Sequence, residues 1–256
     1  MNVRLSIPAV AACLAILAAI TAGAPAAAAE VDVEIVLAAD GSGSIDDDEF
    51  RTQREGYAEA ITSPEVLAAI RSGAYGRIAL AYIEWGGPHS QHTIVDWMVI
   101  GDAASAQAFA DRLLQAPRMA SGYNSISGAI DYAAAMIRGN AHEGLKKVID
   151  VSGDGPQIGG RPVQAARDEA VLAGITTNGL VIRRPGGSVR GPAGMPLDDH
   201  YRRDVIGGPG AFVEIADDRR SIAEAVRRKL VLEIAAVPPA HGAVTVASDA
   251  PPAAAR

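Results

Sequence analysis

The sequence predicts a three-layer α/β fold, with a doubly wound, mostly parallel sheet and one antiparallel edge strand. Three observations point there. Apolar runs of strand length alternate with segments of helical periodicity. The runs are nearly continuous, as strands buried on both faces must be. One pair of runs, 77–85 and 93–100, is separated by a Gly86-Gly87-Pro88 break too short for a crossover helix, so it closes as a hairpin.

Val33 to Ala39 is apolar apart from Glu34 and forms the first strand. It ends at Asp40-Gly41-Ser42-Gly43-Ser44. Asp46, with Glu49 three residues on, makes a capping-box pattern for the helix carrying Phe50, Tyr57 and Ile61. Asp46 to Glu49 then fall in a first helical turn, where carboxylates complement the macrodipole. Strands follow at Arg77–Trp85 and Thr93–Ile100. Helices are expected over Asp102–Gln115 and Ser125–Arg138. Lys147–Val151 is a strand running into Ser152-Gly153-Asp154-Gly155. Val163–Ala173 is helical, and Thr176–Ile182 and Phe212–Ile215 are strands. Asp217 or Asp218 caps a last helix reaching Ala235. Arg183–Gly194, rich in Gly, Pro and Arg, reads as a mobile loop.

The chain ends are expected to stand apart from the fold. Residues 1–29 combine Arg4, an apolar stretch around Leu14–Ile20 and the small residues Ala27–Ala29, the pattern of an export signal. An uncleaved anchor is the alternative, disfavoured by the shortness of the stretch. A second alternative is lipidation of Cys13, the one cysteine, although the apolar run continues past it. Cleavage leaves a domain over 30–236 without cysteine, which removes disulfides, thiolate metal sites and cysteine nucleophiles. Residues 237–256 read as a disordered Ala/Pro-rich tail. The protein is then periplasmic or secreted, and meets a membrane only through its export signal.

Composition narrows the partners. At 49% hydrophobic and 21% charged, the 256-residue chain has enough apolar content for a real core. Its net charge is −7, and loss of Arg4 with the leader makes it −8. With no basic patch, nucleic acid is not an expected partner.

Tracing strand directions brings three loops to the carboxyl edge of the sheet: 40–45, 117–124 and 152–155. Open α/β sheets bind ligands at that edge. Asp40, Ser42 and Ser44 alternate with glycines, so their oxygens can surround one point. A carboxylate and two hydroxyls are hard donors suited to Mg²⁺, Mn²⁺ or Ca²⁺. Asp154 supplies a second carboxylate from a neighbouring strand end, and Asn124 or Ser125 a further oxygen. The bland alternative is a polar strand-to-helix turn that only caps the helix.

Asp40-x-Ser42-x-Ser44 after an apolar strand resembles the metal-ion-dependent adhesion site of von Willebrand factor A domains, and Ser152-Gly153-Asp154-Gly155 resembles their strand-terminal aspartate. The element order fits from Val31 to Ala235. Glu84-Trp85, Ser125 to Ile130, Val151 to Gly155 and Gly207 to Phe212 resemble a bacterial group of secreted A-domain-like proteins of unknown function. The resemblance implies Asp40, Ser42, Ser44 and Asp154 as ligands of a divalent cation, Mg²⁺ first, with a partner's carboxylate completing the shell. A threonine ligand is usual in that family. Asn124 stands at its position with Ser125 next to it, so either residue is the candidate.

This reading makes the chain a binding module that holds a protein or acidic ligand through its metal. The competing enzyme is a Mg²⁺-dependent phosphatase with Asp40 as nucleophile, which would want a second aspartate where Ser42 stands. No Gly-x-Ser-x-Gly elbow occurs, and no histidine falls in the three loops. A solute-binding protein would need two lobes. Trp85 and Trp97 are expected in core or edge packing, with Trp85 the better candidate for a recognition surface. His89 and His92 share a loop but lack a third zinc ligand in view. His142 and His200 are expected in exposed loops. Arg183, Arg184 and Arg190 are expected in a solvated loop.

Overall fold

The structure is a computed structural model and describes residues 28–183, 189–217 and 221–235. Nearly all of the expected export signal, Arg184, Asp218 and the tail after Ala235 lie outside the described residues. Six strands form one sheet: β1 (Glu30–Asp40), β2 (Ile78–Trp85), β3 (Gln91–Ile100), β4 (Glu143–Gly153), β5 (Thr176–Ile182) and β6 (Val213–Ala216). Their order is β3-β2-β1-β4-β5-β6. All neighbours are parallel except β3, which pairs antiparallel with β2 at one edge. The predicted fold class therefore holds. Among the described residues no helix is long and apolar enough to cross a membrane.

Alternation along the strands feeds two cores. Val33, Ile35 and Leu37 of β1 pack with α1 (Asp47–Thr62), α2 (Pro64–Arg71), α3 (Ala103–Gln115) and α7 (Ile222–Ala235). Val36 and Ala38 face α4 (Ile126–Gly139), α5 (Val163–Leu172) and α6 (Leu197–His200), which continues as a π-helical turn over Tyr201–Val205. The chain adds strands on one side of β1 and then, from β4 onward, on the other. The order thus reverses between β1 and β4, and the crevice at their carboxyl ends is the natural ligand position.

Several expectations are corrected. Ser63 and Pro64 open a separate helix, α2, with the Ser63 hydroxyl accepting from Val66 N–H at 3.3 Å. The segment expected as a loop up to Gly194 includes a 3₁₀ turn at Pro192–Gly194, and α6 follows directly. Asp217 pairs through its carboxylate with Arg183 at 2.8 Å, and the residues that lead from it into α7 lie outside the described residues. His142 and His200 are buried, not exposed. His200 pairs with Asp204 at 2.7 Å and its Nε2 accepts from Gln157 N–H, whereas His142 packs edge-on against Trp97. Trp85 is fully buried with its indole N–H on the Ala38 carbonyl, so it lines no recognition surface.

One charge cluster lies inside the core. Lys229 of α7 is fully buried and reaches Asp150 of β4 at 2.8 Å and Glu233 one turn on. Asn178 donates to Glu233 at 2.7 Å. Burial pushes the Asp150 carboxyl up to about 7, although Lys229 pulls the other way. A carboxyl raised in the folded state stabilises at pH below its unfolded value, and loses that contribution as pH rises through about 7. Lys229→Met removes the cation and strands two buried carboxylates. It should cost roughly 3–5 kcal/mol of unfolding free energy by urea denaturation at pH 8, and less at pH 5, where Asp150 holds its proton.

Candidate metal centre

Asp40 is the last residue of β1, and its side chain is wholly buried. One carboxylate oxygen accepts from Ser42 N–H at 2.8 Å, which folds the loop back over the strand end. The other accepts from the Asn124 amide at 3.1 Å. Ser42 and Ser44 place their hydroxyls 2.9 Å apart, and Ser44 donates to Asp154 at 3.3 Å. Four of the sequence-predicted residues are thus linked across two strand ends, Asp40 to Ser42 through the backbone N–H and Ser42 to Ser44 and Asp154 through the hydroxyls, with Asn124 joining from the third loop. Ser42, Asn124 and Asp154 are buried, and Ser44 opens to solvent. Ser125 turns away from this chain and caps α4, its hydroxyl accepting from Gly128 N–H at 3.3 Å.

Electrostatics make this a site that a cation fits. Burial, and then the negative charge of Asp154, push the Asp40 carboxyl up to about 7. The donors that hold Asp40 are neutral N–H groups. A buried carboxylate beside a second acid is costly without positive charge. Two carboxylates, two hydroxyls and an amide offer hard oxygen donors. Gly153 has to be glycine, because a Cβ there would come within 3.2 Å of the Asp40 carboxylate and 2.7 Å of the Tyr201 hydroxyl. His89 is exposed and His92 meets the Ser90 hydroxyl at 3.2 Å. Among the described residues no three His, Asp or Glu side chains gather as a metal cluster.

Sheet order, helical layers and the strand-end motif define a von Willebrand factor A-like domain. The chain belongs to the family described as "Protein of unknown function (DUF1194)", whose model matches residues 30–238. No curated protein matches by sequence. Among solved structures, the von Willebrand factor type A protein from Catenulispora acidiphila is 17% identical, with a TM-score of 0.56 over 80% of this chain and 43% of that one. Proximal thread matrix protein 1 from the mussel byssus, solved with a zinc-occupied MIDAS motif, is 10% identical, with a TM-score of 0.55 over 80% and 46%. The vWF domain of the type V pili tip protein Mfa5 from Porphyromonas gingivalis is also 10% identical, with a TM-score of 0.54 over 81% and 97%. This chain spans less than half the length of the first two. At these identities the likeness is one of fold.

Two arginines that belong to no sequence motif hold the loops. Arg54 of α1 is buried and forks onto Glu84 at 2.6 and 2.9 Å. It also donates to the carbonyls of Leu113, Ala116 and Pro117, anchoring the start of the 117–124 loop. Arg118 spans the carbonyls of Gly41, Ser42 and Ile45 at 2.8–3.2 Å and pairs with Asp47. Gln53 donates to the Asp40 carbonyl at 3.0 Å. Burial raises the Glu84 carboxyl, and Arg54 opposes that rise. Arg54→Ala leaves Glu84 buried and three carbonyls unanswered. A loss of about 3 kcal/mol or more in chemical denaturation is expected. Arg54→Lys should recover little of it, because an ammonium cannot reproduce the fork.

Proposed function

We propose that this chain is an exported binding module that holds a divalent cation among Asp40, Ser42, Ser44, Asp154 and Asn124 and uses it to engage a protein or acidic ligand. Mg²⁺ is the first candidate, with Mn²⁺ and Ca²⁺ as alternates suited to the same oxygens. Asn124 is preferred to Ser125 because its amide already reaches Asp40, while Ser125 serves as a helix cap. Half a turn of that amide offers Oδ1 in place of its NH₂.

The observation that carries the reading is the convergence of Asp40, which accepts from Ser42 N–H, with the hydroxyls of Ser42 and Ser44 bonded in turn to Asp154, around a carboxyl whose pKa burial has raised. When bound, the ion supplies positive charge and an open coordination position for an incoming carboxylate. The residues of the chain orient the oxygens, exclude water from the Asp40 side and leave Ser44 at the mouth. The zinc-occupied MIDAS motif of the mussel protein and the pili-tip setting of Mfa5 fit the same reading. So does the export signal expected at residues 1–29.

Thermal unfolding of the mature chain tests the proposal. At a hundred times its Kd an ion adds about 2.7 kcal/mol, or a rise of roughly 5–10 °C for a domain of this size. Mg²⁺ or Mn²⁺ at millimolar concentration should raise the Tm of wild type, EDTA should reverse it, and Asp40→Ala should show no shift. Equal behaviour of wild type and Asp40→Ala in metal would overturn the reading.

A further inference from the structure

The loops around Asp40 hold large apolar side chains in solvent. Tyr123 is 75% exposed and Ile158 63%. Scattered apolar residues on a surface need no explanation, but a patch beside a site does. These two are joined through the site itself. The N–H groups of Ile158 and Gly159 both donate to the Asn124 carbonyl, at 2.9 and 3.0 Å. Tyr123 and Ile158 therefore flank the residue whose amide touches Asp40. Pro88, also exposed, lies against Gly159, where an added Cβ would meet its ring at 2.9 Å. The backbone of Gly87 is bonded to Ser121 O at 2.8 Å, which ties this turn to the same loop. The result is an apolar crescent of Tyr123, Ile158 and Pro88, built on a backbone-bonded scaffold at the rim of the oxygen cage.

Charge sets the rest of the rim. Beyond Ser44 the chain enters α1, whose first turn holds Asp47 and Asp48 in solvent. Each meets one arginine, Arg118 and Arg51. Each pair is charge-balanced, so this side of the rim is polar, in contrast to the crescent. Exposed Tyr with an aliphatic neighbour is the composition of interface centres.

We propose that the partner is a protein segment that presents a carboxylate to the metal position and, within one or two residues of it, a large apolar side chain that seats on Tyr123, Ile158 and Pro88. This rests on the metal reading above. A lone carboxylic acid fills only the first of these positions, whereas a peptide loop fills both.

The test uses the mature chain and a displayed library of looped peptides with a fixed central Asp and randomised neighbours, selected in Mg²⁺ and eluted with EDTA. Selected loops should be enriched in Leu, Ile, Phe or Trp within two positions of the Asp. The Tyr123→Ser, Ile158→Ser double variant should keep wild-type Mn²⁺ affinity by calorimetry, yet bind the selected loops roughly 10-fold or more weakly. Mn²⁺ binding with no apolar enrichment, or with equal binding by the double variant, overturns the crescent and leaves the metal reading standing. Absence of Mn²⁺ binding to wild type overturns both. Mn²⁺-dependent binding to phosphatidylserine vesicles in preference to every loop also overturns the proposal, in favour of a membrane surface.

Discussion

A carboxylate at the buried end of the central strand is the constraint around which this domain is arranged. Asp40 lies in the sheet's crevice with no exposed surface, and Asp154 from the adjacent strand adds a second acid. Unanswered, such a group would work against the fold. The chain answers it with N–H donors from three places: the turn at Ser42, the backbone at Asp154 and the amide of Asn124. Each donor requires a loop to be where it is. The loop positions in turn follow from which strands lie beside β1, so sheet topology and site chemistry are one problem.

The loops are fixed by buried cations and by backbone bonds, without relying on their own packing. Arg54 and Arg118 together answer six carbonyls and two acids. Gly43 N–H meets Gly122 O at 2.9 Å, and Ser125 N–H meets Gly86 O at 2.7 Å. On the proposed reading, loops held this way need little backbone ordering on binding, and what changes is confined to side-chain bonds within the cage. The polar core at Lys229, Asp150 and Glu233 plays a comparable part lower in the molecule, joining α7 to the sheet with charge where the flanking positions are apolar.

What could be read from the chain depended on the range of the interaction. The apolar runs, the hairpin and the Asp46–Glu49 capping box are local, and they stand as expected; the box closes at 2.7 and 2.9 Å. Asp40, Ser42 and Ser44 were legible because their spacing is local, and Asp154 because strand directions place its loop. Partners distant in sequence were not legible. Arg54 gave no sign that its acid is Glu84, thirty residues on. Arg227-Arg228-Lys229 looks like a solvated basic run, yet the turn of α7 puts Lys229 on the face with Val226, Leu230 and Glu233. That period was present in the sequence and is the signal that would have found it. Likewise Ser63-Pro64-Glu65 carries a helix start, hidden because it follows α1 without a loop. His200 was unreadable: its burial depends on Asp204 and on the Gln157 amide from another loop.

The asparagine that stands where the resemblance implies a threonine has a physical consequence of its own. An amide carries donors at one end and an acceptor at the other. With its NH₂ toward Asp40 it relieves the acid, at 3.1 Å. Reversed, it presents an oxygen to a cation. On the proposed reading, entry of an ion exchanges one satisfied arrangement for another, and only the difference between them would appear as affinity. Ser42 and Ser44 behave alike, since their mutual bond and the bond to Asp154 must yield before their oxygens are free. On that reading the ion's affinity is moderated by the bonds it displaces, and a partner supplying a further carboxylate would contribute its own share of the stability of the complex.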